Sequence, residues 1–102
     1  MFVVTVTFML KPGTMAEFMP LMRRQAADSI ERESACRQFD ILTDAGRPDL
    51  VFLYEVYDDR AAFDAHLAPA HFTSFDKAVQ PMIADKQVST WTRVAAETAG
   101  GR

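Results

Sequence analysis

Cysteine, histidine and tryptophan are scarce in this 102-residue chain, which holds one Cys, two His and one Trp. A lone cysteine, Cys36, excludes an intramolecular disulfide and any CxxC metal or redox motif. Basic residues are not in excess: 11 Lys and Arg stand against 14 Asp and Glu, for a net charge of −3. That balance speaks against a partner bound through a phosphate backbone, so no nucleic acid is expected. A long apolar run is missing too. The densest, FVVTVTFML, spans about half a bilayer and contains two Thr. It lacks a basic leader and a small-residue cleavage site, so the expectation is no membrane segment and a cytoplasmic location.

What is present is ordinary globular composition, 49% hydrophobic and 25% charged, at a length that suits one hydrophobic core. Six Met and eight Phe are many for that length. Residues of this kind suit a subunit contact or the wall of a ligand pocket. Both histidines, His66 and His71, fall close together downstream of Glu55, which poses the question of whether they line a site.

Phe2 to Leu10 alternates with β-branched and aromatic types, as a strand does, but is apolar on both faces. The second face is therefore expected to be covered as well. After KPG, Thr14 and Glu17 form an S/T-x-x-E capping box that opens a helix to about Glu33. Its apolar stripe reads Met15, Phe18, Met22, Ala26 and Ile30, with Pro20 expected to kink the early turns. A second strand covers Cys36 to Asp44, with Phe39 and Ile41 on one face and Cys36, Gln38, Asp40 and Leu42 on the other. AGRPD connects it to a third strand, Leu50 to Tyr57, continuously apolar except for Glu55 and so expected near the sheet centre.

Asp58 or Asp59 can cap a short helix to about His66, and Pro69 suits the first turn of another carrying Phe72, Phe75, Val79 and Met82. Gln87 to Ala95 reads as the last strand, and residues 97–102 as a flexible tail after a single domain over 1–96. The order βαββαβ predicts an α+β, ferredoxin-like antiparallel sheet with helices on one face. Its bare face, apolar in the first strand, predicts a homodimer.

In that order, MLKPG, the helix end ESAC, the strand RQFDIL, LYEVY and AAFDAHLAPAHF resemble the antibiotic biosynthesis monooxygenase-like family of dimeric α+β barrels over about residues 3 to 95. The resemblance implies cofactor-independent oxygenases of electron-rich polycyclic phenols, an isomerase of a phosphorylated linear signal molecule, quinol-modifying proteins, and members without a known reaction. Ser34 and Ala35 stand where the family often has Pro-Gly. The chain has no Asn, which disfavours the haem-degrading members that use it beside His and Trp.

His66 and His71 lie five residues apart across a helix break, which can aim one imidazole into a pocket as a base near neutral pH or leave a cap and a core histidine. Of the two, His71, close behind Pro69 at the positive end of a helix, is the expected base. Glu55 is either a pocket acid with a raised pKa or the ion-pair partner of Arg93. His66, His71 and Glu55 match a non-haem iron triad by type, but their spacing carries no signal for metal, and none is expected. Phe72 and Trp91 are the expected substrate clamp, and Cys36 lacks the neighbours of a nucleophile.

The leading expectation is a cofactor-free monooxygenase of a phenol, quinol or similar enolisable compound, with His71, His66 and Glu55 catalytic. A proton-shuttling isomerase of a small, even phosphorylated, carbonyl compound and a non-catalytic dimeric ligand-binding module are the alternatives. Arg23, Arg24 and Arg32 are the cations a phosphate would need.

Overall fold

The computed structural model describes residues 1–95; the expected domain end at residue 96 and the tail at 97–102 lie outside them. The elements are β1 (Phe2–Leu10), α1 (Met15–Arg32), β2 (Cys36–Asp44), β3 (Arg47–Tyr57), α2 (Arg60–His66), α3 (Ala70–Val79) and β4 (Ile83–Thr92), with a 3-10 turn at Gln80–Met82 before the last strand. One antiparallel sheet orders them β2-β3-β1-β4, the α+β ferredoxin-like arrangement. The apolar strands β1 and β3 are therefore central, where both edges of each are hydrogen-bonded.

Alternation along β1 sends Val4, Val6, Phe8 and Leu10 to the inner face, where they meet Phe18 and Met22 of α1, Phe63 of α2 and Val79 of α3. Val51, Leu53 and Tyr57 complete that core from β3. None of the described helices covers the opposite face, and no described helix is long and apolar enough to cross a membrane.

Several local expectations are corrected. Thr14 makes no side-chain cap; its hydroxyl donates instead to Lys11 O at 2.7 Å, inside a turn where Gly13 adopts φ 82°. Helix α1 continues unbroken through Pro20, and its buried face is Phe18, Met22, Gln25 and Ser29. Stepping by four drifts about 40° around a helix each time, so Ile30 has rotated out to solvent while the alternating four-three step stays on the core. In β2 the register shifts between Cys36 and Gln38, a bulge that turns Cys36 onto the inner face beside Phe39 and Ile41. Strand β3 begins three residues early, at Arg47, after a tight Ala45-Gly46 connection. Strand β4 begins at Ile83 rather than Gln87 because Pro81 ends α3 in a 3-10 turn and the chain re-enters the sheet at once.

Candidate functional site

The helices do not fill the space above the inner sheet face completely. A cavity of about 50 Å³ remains, walled by apolar side chains that include Leu53, Phe63 and Phe72, with Glu55, His66, Gln25 and Lys86 as its polar members. It approaches the edge of the sheet along β4, where Val88 is half exposed. The volume suits a few waters or part of a small ring.

Glu55 reaches this cavity by strand parity. It alternates with Leu53 and Tyr57 on the inner face and is 3% exposed. The hydroxyl of Tyr57 donates to Glu55 Oε1 at 2.6 Å. Burial pushes the Glu55 carboxyl up to about 7, and the Tyr57 hydrogen bond and the Lys86 charge only partly oppose it. Burial and the neighbouring Glu55 raise the Tyr57 phenol as well, so Tyr57 stays a hydrogen-bond donor. Arg93 is not the partner of Glu55, since it lies on the other sheet face beside Val3, Thr5, Tyr54 and Trp91.

His66 closes α2, whose start is fixed by Asp59 accepting from Ala62 N at 2.8 Å. Its ring sits among Tyr57, Phe63 and Phe72, with the Phe72 centroid 5.1 Å away. His66 Nδ1 lies 2.9 and 3.0 Å from the two Glu33 carboxylate oxygens. An ionised carboxylate only accepts, so Nδ1 carries the proton and Nε2 is the nitrogen left with a lone pair. Burial lowers the His66 pKa, against the pull of Glu33 in the other direction.

His71 does not line the cavity. It faces an open groove of about 410 Å³ between α1 and α3, shared with Arg24, Asp28 and Arg32. Its Nδ1 donates to Gln25 Oε1 at 3.2 Å, and its Nε2 stands 2.8 Å from Glu33 Oε2 outside the direction of a hydrogen bond. The carboxylate joining the two imidazoles is thus Glu33 and not Glu55. Among the described residues no group of three His, Cys, Asp or Glu is placed to hold a metal ion, so the triad of His66, His71 and Glu55 does not form.

The sequence profile of the antibiotic biosynthesis monooxygenase family matches residues 1–78. The chain belongs to the antibiotic biosynthesis monooxygenase family. Among solved structures it is similar to a candidate antibiotic biosynthesis monooxygenase from Nitrosomonas europaea, at 28% identity and a TM-score of 0.88 over 93% of this chain and 100% of that one. A second antibiotic biosynthesis monooxygenase structure aligns at 27% identity and a TM-score of 0.85 over the same shares. A Shewanella oneidensis protein aligns at 25% identity and a TM-score of 0.85, over 93% of this chain and 92% of that one.

Within this member of the antibiotic biosynthesis monooxygenase family, Glu55, His66 and Phe72 come together and Trp91 does not join them. Trp91 pairs with Val3, whose side chain points away from the helices, and it is 57% exposed with Nε1 donating to Thr5 Oγ1 at 3.0 Å. Arg24 and Arg32 line the outer groove, not the cavity. Cys36 is buried and its thiol is pushed up to about 12 by burial and by Glu33 and Glu55, which removes it as a nucleophile. Sequence reasoning gave no role to Glu33, Gln25 or Tyr57. One signal for Glu33 was available: an acid at the C-cap of α1 stands at the negative end of the helix dipole, a placement that tertiary contacts must offset.

Proposed function

We propose that the protein is a small cofactor-independent monooxygenase acting on a phenol or quinol, with His66 as the base. The observation that carries this reading is that Glu55 and His66, from β3 and α2, meet in one cavity whose walls are mostly apolar. His66 Nε2 takes the phenolic proton, and the apolar walls favour transfer of an electron from the resulting anion to dioxygen. Recombination at a ring carbon gives a peroxide; loss of water from it leaves a quinone, so that phenol and dioxygen become quinone and water. Glu55, still half protonated near pH 7, donates its proton to the leaving oxygen as the O–O bond breaks and regains one from the ring C–H carbon that becomes the new carbonyl. Phe72 holds the ring, and the cavity size favours a one-ring substrate over a polycyclic one.

The proposal includes a homodimer through the open sheet face, supported by the exposed Trp91 beside Val3 and Tyr54. Oxygen uptake across a panel of one-ring phenols and quinols, with and without chelator, tests the activity. Turnover that His66→Gln abolishes is the expected result; no uptake with any of them, or isomerised product without oxygen loss, would overturn it.

A further inference from the structure

The two imidazoles and Glu33 form a continuous line from the cavity to the outside of the helical layer. His66 lines the cavity, its Nδ1 lies 2.9 Å from Glu33 Oε2, and the same oxygen stands 2.8 Å from His71 Nε2. His71 in turn lines the groove between α1 and α3, which opens to solvent. The elements that build the line are otherwise separate: α2 ends at His66, α1 ends just before Glu33, and His71 stands in the first turn of α3. Neither His71 nor Glu33 has a role in holding substrate, since the cavity is walled by other residues. Gln25 fixes the far end by accepting from His71 Nδ1 at 3.2 Å.

We propose that His66, Glu33 and His71 are a proton relay that connects the buried cavity to water in the α1/α3 groove. This rests on the reading of His66 as the base. On the outward passage, the phenolic proton arrives at His66 Nε2 and the Nδ1 proton leaves to Glu33. Glu33 passes it to His71 Nε2 after a small turn of that ring into line, and His71 loses its Nδ1 proton to groove water as the 3.2 Å bond to Gln25 opens. His66 is left neutral but in the opposite tautomer. The return passage restores it: a proton from the groove side reaches His66 Nδ1 through Glu33, and the Nε2 proton goes to the oxygen reduced by the substrate. One proton leaves and one returns per turnover, so the ring of His66 need not flip in its aromatic cage. His71 is a positioning and transfer residue that acts through His66, which accounts for two histidines where one base suffices.

The test uses 4-nitrophenol, whose anion is coloured, mixed with the intact protein in weak buffer containing a pH indicator. In the unaltered protein the bound anion and the released proton appear at the same rate. In His71→Phe the anion forms at the original rate while the proton reaches solvent at least tenfold later, and added imidazole restores the release. His71→Gln, which keeps a polar group against Gln25, gives the same lag, and circular dichroism checks that both variants are folded. Glu33→Gln lags as well. Prompt release in both His71 variants overturns the relay, including the outcome in which only Glu33→Gln lags, because Glu33 is itself 15% exposed and would then discharge directly. Absence of any anion in the unaltered protein overturns the base reading first and the relay with it.

Discussion

Tyr57 and Glu55, two residues apart on β3, point to the same face, and the tyrosine hydroxyl donates to Glu55 Oε1 at 2.6 Å. The pair is buried in the core, so the carboxyl is held protonated to about pH 7 against an ordinary value of 4.5. Below the ordinary value both folded and unfolded chains hold this proton; between the two values only the folded chain does. Stability from this group is therefore lost as pH rises through that window and levels off above it. Glu55→Gln has no such loss. Urea titrations should show the variant gaining on the original protein by on the order of 3 kcal/mol between pH 4.5 and 8; a difference that stays constant with pH would contradict the assignment.

The same two groups set a pH profile for turnover. His66 must be neutral, and its lowered pKa puts the acid limb of kcat/KM below pH 6.5. Glu55 must be protonated, so the alkaline limb falls near pH 7. Glu55→Gln should remove the alkaline limb and leave the acid limb in position, as initial rates across the range would reveal.

His66→Gln should lower kcat by about 100-fold or more, the usual worth of a positioned base. The neutral amide retains contact with Glu33, so folding is preserved and thermal melts should remain cooperative. A loss of less than tenfold would mean the base lies elsewhere.

Phe72→Ala removes an aromatic face 5.1 Å from the His66 ring. Loss of stacking worth roughly 0.5–1.5 kcal/mol should raise KM by about two- to tenfold. An unchanged KM would remove Phe72 from the substrate clamp.

Trp91→Asp places a charge on the uncovered sheet face, near the end of edge strand β4. Light scattering at micromolar concentration should give a dimer for the original protein and a monomer for the variant. Dimers in both cases would relocate the contact.

The strand boundaries of β1 and β2 were legible because alternation and β-branched side chains report directly on a pleated backbone. The placement of Glu55 on the inner face followed from parity with Leu53 and Tyr57 within one strand. Trp91 could not be placed that way, because its face depends on its pairing with Val3, a register set across the sheet. Cys36 was assigned to the wrong face because one bulged residue inverts parity and leaves no mark on the hydrophobic pattern. Glu33 was missed for a different reason: its link to His66 spans 33 positions and exists only after α1 and α2 have packed.

In the sheet order β2-β3-β1-β4, β1 is central yet is made long before its neighbours, with Phe2 opposite Tyr57 on one side and Thr92 on the other. During synthesis the backbone N–H and C=O groups on the β4 side of β1 stay unpaired until β4 has cleared the ribosome, so the domain cannot complete its sheet vectorially. Pairings of such wide sequence separation slow folding and leave an adhesive strand uncovered meanwhile. A nascent chain stalled before Ile83 should therefore be the species most dependent on a chaperone, although the sheet edge it exposes is wholly internal in the finished fold.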